Sequence, residues 1–198
     1  MQDESPRRSN RDRTEATRAA LMKAGRALFI ERGYAETGTP DIVAAAGVTR
    51  GALYHHFADK QALFRAVVEA EAEAVADVVD ASTVSAMSTK DALLQGGDAF
   101  LEAMRVEGRA RLLLLDGPAV LGRAEMDAID IRHGGRTLRE GLAAGIAAGE
   151  MREVPVEALA ALLSAMFDRA ALAIAGGGSE PDQKKAMRAV VEGLLAGG

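Results

Sequence analysis

The sequence contains no cysteine and no tryptophan, and only 4% of its residues are aromatic. Without cysteine, the chain can form neither a disulfide framework nor a thiolate metal site. The low aromatic content argues against a large aromatic cage for a drug-sized ligand. Proline is also scarce, with 5 residues, and runs of β-branched residues are few. This composition favours an all-α fold.

Membrane-spanning and secretory segments are not expected either. No apolar stretch combines the length and the freedom from charge that a bilayer span needs. Residues 1–12 are polar and arginine-rich and lack the apolar core of a secretory signal, so we expect a disordered arm there. The length of 198 residues suffices for one large domain or for a small and a medium one. We expect a cytoplasmic protein without a cofactor.

The net charge of −5 argues, at first sight, against binding to nucleic acid. Its distribution weakens that argument, because residues 1–60 hold 10 of the 24 Lys and Arg residues but only 8 of the 29 Asp and Glu residues. Phosphate binding needs a local basic surface and does not need a basic whole protein. The charge pattern therefore permits a nucleic-acid-binding N-terminal part.

A long helix is predicted over residues 13–32. Apolar residues recur there at the spacing of one helical face, with Leu21 and Leu28 as its largest members. Gly33 is expected to end this helix in the way that glycine commonly does after a last turn.

Two short helices are predicted between residues 39 and 56. Thr39 is a plausible N-cap for the first of them, with Pro40 as its first residue. Gly47 should end it in the left-handed conformation, and Thr49 should cap the second. Two such helices joined by a tight glycine turn form a helix-turn-helix unit. The apolar residues available to hold the unit together are Ile42, Val48, Leu53 and Phe57.

The rest of the chain also has helical patterning. The predicted helices lie at about 59–81, 89–107, 109–115, 118–149, 155–175 and 180–196. With the three before them they make about nine helices, without a strand or an internal repeat. We therefore expect three parts: an arm (1–12), a helix-turn-helix domain (13–58) and a C-terminal helical domain (59–198).

A specific motif lies in the helix-turn-helix region. The run from Gly47 to Phe57, GVTRGALYHHF, is followed by Asp59-Lys60 and preceded by AGRALFIERGY at 24–34 and by Asp41-Ile42. In order and spacing, residues 13–65 resemble the DNA-binding signature of the tetracycline-repressor (TetR) family. The resemblance implies an all-α homodimer with three N-terminal helices for DNA and about six more for a ligand and for dimerisation. It also favours repression over activation.

The second short helix would be the recognition helix, whose N-terminal residues lie nearest the bases of the major groove. Arg50 lies there and can donate two hydrogen bonds to guanine O6 and N7, or contact a phosphate. Gly51 would allow close approach of the backbone. Tyr54, one turn further on, can contact a phosphate or a thymine methyl, although a packing tyrosine is the alternative.

The remaining DNA candidates are mostly backbone contacts. Thr39, with the free N–H groups at the start of its helix, can hold a phosphate, and Thr49 precedes the recognition helix. The resemblance implies phosphate contacts for Lys60 and His55. Pro40 departs from the family pattern, which often has a polar or basic residue there, so specificity should depend on Arg50. We expect no metal at His55-His56, because adjacent helical residues diverge and His56 more plausibly packs against the first helix.

A ligand pocket in the C-terminal domain is a weaker inference. Glycine-rich breaks at residues 108, 117, 122, 134 and 135 should leave a mostly apolar cavity between the helices at 89–107, 109–115, 118–148 and 155–175. A small apolar or amphipathic effector would fill it. The alternative is that the apolar candidates are simply core. The candidates are Phe100, Met104, Leu113, Met126 and Phe167, with Arg105, Arg132, His133 and Asp168 as polar groups.

The helices at 155–175 and 181–196 carry many apolar residues and are predicted to form an isologous four-helix interface with a second copy. The sequence thus predicts a ligand-responsive homodimer that binds double-stranded operator DNA. Two rival interpretations are a sequence-independent architectural DNA binder and a small all-α enzyme. The enzyme is disfavoured, because no nucleophile–base pair, phosphate loop or metal-spaced cluster is evident.

Overall fold

The computed structural model describes residues 10–83 and 87–195. Over these ranges the chain forms eleven α-helical segments and one π-helical turn, and its only β-type pairing is an isolated bridge between Met151 and Leu195. The all-α class is therefore confirmed. The helices are α1 (Asn10–Glu36), α2 (Thr39–Ala46), α3 (Arg50–His56), α4 (Lys60–Ser82), α5 (Thr89–Met104), α6 (Arg109–Arg111), α7 (Gly117–Leu121), α8 (Arg123–Arg132), α9 (Gly134–Ala147), α10 (Val156–Ala175) and α11 (Glu180–Leu194), with the π-helical turn at Leu112–Asp116.

The chain divides into two compact units after Val68, inside α4. This differs from the predicted boundary between residues 58 and 59. The reason is that the first turns of α4 belong to the core of the first unit, where Leu63 and Phe64 are fully buried. The first unit therefore comprises α1, α2, α3 and the beginning of α4.

Helix α1 begins at Asn10, so residues 10–12 are helical and are not part of a disordered arm as predicted. Residues 1–9 of that arm lie outside the described part of the chain. At the other end, Gly33 interrupts the helix with φ 80° and ψ 167°, which agrees with the predicted end. Only glycine adopts such a conformation without strain.

The helix-turn-helix unit forms as predicted except at its first cap. Gly38, and not Thr39, is the N-cap of α2: it is extended, and its carbonyl accepts a hydrogen bond from the Ile42 N–H at 3.2 Å. Thr39 is thus the first helical residue. Gly47 has φ 66°, and the Thr49 side chain accepts a hydrogen bond from the Ala52 N–H at 3.2 Å.

Aromatic side chains form much of the core of the first unit. Phe29 and Phe64 are fully buried and meet edge to face, with ring centroids 5.1 Å apart. Tyr34 completes the cluster, with its ring centroid 5.1 Å from that of Phe64 and 5.8 Å from that of Phe29. Of the four residues predicted to join the two short helices, three are buried and Val48 is partly exposed. This core fixes α2 and α3 on α1.

In the second unit, the predicted helix end at Asp116-Gly117-Pro118 is wrong. The chain instead continues from α6 through the π-helical turn into α7, and Gly117 is helical with φ −55°. Pro118 has no N–H and would crowd the carbonyl of Leu114 in a regular α-helix. The wider turn avoids this, because the Gly117 N–H donates to the Leu112 carbonyl one residue further back.

The single helix predicted over 118–149 is three segments, α7, α8 and α9. The chain breaks at Gly122, with φ 86°, and at His133, with φ −114° and ψ −108°. The second break thus precedes the expected kink at Gly134-Gly135. Gly135 does not break the helix. A glycine is favoured at this position for a steric reason, because an added Cβ would meet Asp130 Oδ2 at 2.7 Å.

Helix α10 corrects the expectation that no apolar stretch has the length and the freedom from charge that a bilayer span needs. By length and composition it is apolar enough to cross a membrane, with a mean hydropathy of 1.7 over its most apolar 18-residue window. Core helices of soluble proteins have the same property, and α10 contributes core residues here. Only 28% of that window is buried, however, so much of this apolar helix has no cover within its own chain. Its buried residues are Ala160, Leu163, Phe167, Ala170 and Ala171.

Candidate nucleic-acid interface

The turn between α1 and α2 is held by two polar side chains. The hydroxyl of Thr37, which is buried, donates to the carbonyls of Gly33 at 2.7 Å and Leu28 at 3.1 Å. The amine of Lys60 donates to the carbonyls of Tyr34 at 2.8 Å and Thr37 at 2.9 Å. These bonds fix where α2 begins, and they leave one of the three Lys60 N–H groups for another acceptor.

The other predicted DNA-binding residues lie on the solvent-facing side of α2 and α3. Leu53 and Phe57 point into the core, whereas Tyr54 and His55 between them are exposed. A side chain at Gly51 would meet nothing closer than the Thr49 hydroxyl at 3.9 Å, so the backbone there is open to a partner. The exposed residues are Thr49, Arg50, Gly51, Tyr54 and His55, while Thr39 and Lys60 are partly buried.

Tyr54 is 44% exposed, so its ring is not part of the core of the first unit. The guanidinium carbon of Arg50 lies over its ring, 5.5 Å from the ring centre. Hydrogen bonds from Arg50 and Thr39 to the phenol oxygen, together with the charge of Arg50, hold the pKa of Tyr54 below its usual value. The three side chains therefore form one polar cluster that joins the start of α2 to α3.

The two adjacent histidines have different environments. His55 is exposed, whereas His56 is partly buried. Burial, and then the neighbouring charges of His55 and Arg18, lower the pKa of His56. Arg18 of α1 also lies over the ring of Phe57, 5.3 Å from its centre. His56 and Phe57 thus pack beside α1 as predicted. Within residues 10–83 and 87–195, no group of three or more potential ligands is placed to hold a metal ion.

The apolar ligand candidates of the second unit are buried or partly buried. Phe100 and Phe167 have ring centroids 6.1 Å apart, and Met104, Leu113 and Phe167 are buried. Met126 is partly exposed and lies against Gly117, where an added Cβ would meet its sulfur at 2.9 Å. This placement is compatible with both the core and the pocket interpretations.

The cleft described in the second unit lies between α5, α10 and α11. Its volume is about 10 Å³, which is about the space of one water molecule. Phe167 is the one predicted ligand residue among those that line it. The Phe167 ring fills the space above Gly97, where an added Cβ would meet it at 2.8 Å. The mostly apolar cavity that the sequence predicts between the helices at 89–107, 109–115, 118–148 and 155–175 stays a prediction.

Three of the predicted polar groups are engaged in ion pairs. Arg132 binds both carboxylate oxygens of Glu69 at 2.9 Å, and His133 Nε2 lies 3.1 Å from the same group. Arg105 pairs with Glu180 at 3.2 Å. Asp168 differs, because burial and then the nearby charge of Asp130 raise its pKa to about 7, against a smaller opposing effect of Arg123.

We expect Asp168→Asn to stabilise the protein above neutral pH. The folded state holds the Asp168 proton more tightly than the unfolded chain, so wild-type stability falls as pH rises from about 4 to 7. The variant should unfold with a free energy higher by about 1–3 kcal/mol at pH 8, and nearly equal at pH 4. Urea unfolding at both pH values measures this. Asp77→Asn, on the exposed face of α4, is the control, and a pH-independent difference would contradict the prediction.

A helix-turn-helix unit with an exposed second helix, followed by a larger all-α unit, is the architecture of bacterial helix-turn-helix regulators. Residues 21–67 match the family model for bacterial regulatory proteins of the tetR family. Residues 90–198 match the model for the tetracyclin repressor-like C-terminal domain, which alone covers more than half of the chain. The chain belongs to the TetR family.

Individual relatives agree with this assignment. The regulator TtgR of Pseudomonas putida is 40% identical over 62 residues, which cover 31% of this chain and only 30% of TtgR. The repressor AcnR of Corynebacterium glutamicum is 25% identical over 167 residues, covering 79% of this chain and 81% of AcnR. The crystal structure of a TetR-family regulator from Pectobacterium atrosepticum has a TM-score of 0.74 and 34% identity, and covers 96% of this chain and 99% of that one.

Proposed function

We propose that this protein is a ligand-responsive transcriptional regulator that binds a palindromic operator, and that it acts in the cytoplasm as a repressor. The observation that carries the proposal is the exposed cluster of Arg50, Tyr54 and Thr39 on a helix-turn-helix. Arg50 stands at the first position of α3, where a recognition helix meets base edges, and its guanidinium matches guanine O6 and N7.

Phosphate contacts would surround this base-reading position. The first turn of α2, which begins at Thr39, has no side-chain cap, so its backbone N–H groups can receive a phosphate. His55 and Thr49 are exposed on either side of Tyr54 along α3. Lys60 would add its third N–H, although its first task is to hold the α1–α2 turn.

Selection of bound sequences from a random DNA pool tests the proposal. We expect a palindromic consensus. Arg50→Ala should cost about 1–3 kcal/mol on that operator and should relax the preference at one base pair in each half-site. Unchanged affinity and unchanged base preference in Arg50→Ala would contradict the proposed docking.

Lys60→Met should behave differently from Arg50→Ala. Because a phosphate contact carries no sequence information, binding to all duplexes should weaken alike, and the salt dependence should flatten by about one counterion. Thermal unfolding must be followed in parallel, since the same amine holds the α1–α2 turn. Arg152→Met, at an exposed position between α9 and α10, outside the first unit and the proposed dimer interface, is the control. A change of base preference in Lys60→Met would show that Lys60 acts on the bases.

The apolar surface of α10 and α11 supports a homodimer. Leu162 is 70% exposed and Val190 is 47% exposed, and α10 is mostly apolar although only 28% of its most apolar stretch is buried. An isologous interface would bury the same surface on both copies and form a four-helix arrangement. A dimer also presents two recognition helices about one DNA turn apart, roughly 34 Å, as a palindrome requires.

The effector proposed for the second unit is a small apolar or amphipathic molecule. Breaks at Gly108, Gly122 and His133, and the π-helical turn, give this unit short segments that can shift against longer helices. A ligand could enter by displacing Phe167 from above Gly97. To move the dimer from nearly all bound to nearly all free, it must favour the free form by about 5.5 kcal/mol. Release of labelled operator in a compound screen tests this.

The two rival functions have distinct outcomes in the same experiments. An architectural DNA binder would give no consensus and a steep salt dependence. An enzyme would turn over a substrate without any shift in DNA mobility. The relatives named above are regulators and a repressor, which supports the regulator over both rivals.

A further inference from the structure

The guanidinium of Arg50 is held by its neighbours before any DNA is present. Arg50 and Tyr54 are one helical turn apart on α3, so their side chains lie over the same surface. The guanidinium carbon is 5.5 Å from the centre of the Tyr54 ring. On the other side, Thr39 at the start of α2 contacts the Tyr54 hydroxyl. The ring is thereby held between two helices.

This contact restrains the guanidinium without engaging all of its N–H groups. The guanidinium carbon lies over the Tyr54 ring at the distance of an arginine–aromatic contact, and the Tyr54 hydroxyl engages one N–H. A guanidinium carries five N–H groups, so the others stay available for guanine O6 and N7. An unrestrained arginine would lose rotamer freedom on binding, and one restrained in this way has already lost part of it.

We propose that Tyr54 is a positioning residue for base recognition, which holds Arg50 in its base-reading orientation, and that Thr39 in turn fixes the Tyr54 ring. This inference rests on the proposed function as a sequence-specific DNA binder. It gives Tyr54 an effect on sequence preference that a contact to phosphate alone would not have. The ring and the hydroxyl should both contribute, because Arg50 lies over the ring and Thr39 contacts the hydroxyl.

The first test needs no DNA. The chain has 2 tyrosines and no tryptophan, so tyrosinate absorbance reports only Tyr34 and Tyr54. Burial and then the charge of Asp59 raise the pKa of Tyr34, whereas the pKa of Tyr54 is lowered, so two separate steps are expected. Tyr54→Phe should remove the first step, and Arg50→Ala should move it to higher pH. Arg13→Ala on α1 is the control and should leave both steps in place.

The second test measures base discrimination as the ratio of Kd values for the operator and for a duplex changed at the base pair that Arg50 reads. Tyr54→Phe keeps the ring contact but loses the hydroxyl, so it should lose less discrimination than Tyr54→Leu, which should lose about two- to fivefold of it. In an Arg50→Ala background, Tyr54→Leu should change the ratio no further. Thermal unfolding of each variant accompanies the titrations.

The outcomes separate this inference from the proposed function. A first titration step that stays in place in Arg50→Ala, or equal weakening of both duplexes by Tyr54→Leu, would overturn the positioning role and leave the regulator intact. Failure of the wild-type protein to select any operator would overturn the regulator and with it base reading by Arg50.

Discussion

Leu162→Glu is expected to convert the protein from a dimer to a monomer at micromolar concentration. Leu162 lies in the middle of α10 and is 70% exposed within its own chain. Burial of a leucine side chain contributes about 1.5–3 kcal/mol, and in an isologous interface it occurs twice. The substitution removes both contributions and places two carboxylates near each other. The dimer Kd should therefore rise at least about 100-fold.

Sedimentation of the full chain over a concentration series measures this change, and a mobility shift with the selected operator should show the loss of tight binding. Leu115→Glu is a matched control, because Leu115 in the π-helical turn is 53% exposed but lies outside α10 and α11. It should remain dimeric. A dimeric Leu162→Glu, or monomers in both variants, would contradict the proposed interface.

Glu71→Ala should destabilise the second unit by about 3–5 kcal/mol, because it leaves a buried charge without its partner. Glu71 and Arg109 are each only 8% exposed, and Arg109 Nε lies 2.7 Å from Glu71 Oε2. Arg109 also donates to the Ala103 carbonyl at 2.8 Å, so it is held in place when Glu71 is removed. Urea unfolding measures the loss.

Glu69→Ala, two residues earlier on the same helix, provides the comparison. Its partner Arg132 is half-exposed, and such a pair contributes about 1 kcal/mol or less. Replacing both Glu71 and Arg109 with methionine should recover most of the stability lost in Glu71→Ala, since no unpaired charge remains. Equal effects of Glu71→Ala and Glu69→Ala would contradict the view that burial makes the difference.

The features predicted correctly from sequence are those with local causes. Gly33 and Gly47 adopt conformations that glycine favours, and Thr49 caps a helix that starts beside it. The π-helical turn was not predicted, because a proline such as Pro118 more commonly starts a helix than lies within a continuous helical run. The break at His133 was not predicted, because it depends on packing. His133 meets Glu69 across 64 positions of sequence, a contact that no periodicity reveals.

In the candidate site, too, the features with local causes were predicted and those that depend on contacts distant in sequence were not. The motif identified Arg50 and Tyr54, and it also pointed to Lys60 as a phosphate contact. The hydrogen bonds that join Lys60 to the α1–α2 turn span 23 and 26 positions, so the structural role of Lys60 was not visible. Thr37 was missed altogether, because a buried threonine after a helix end has no distinctive sequence pattern.

Hydroxyl-radical footprinting of the selected operator tests the central claim most directly, namely that two copies of α3 each recognise one half-site. We expect two protected stretches related by a dyad, with centres about 10 base pairs apart. Arg50→Ala should weaken the protection of both stretches equally, because each copy of the chain contributes one Arg50. A single protected stretch, or uniform protection along the duplex, would contradict the account.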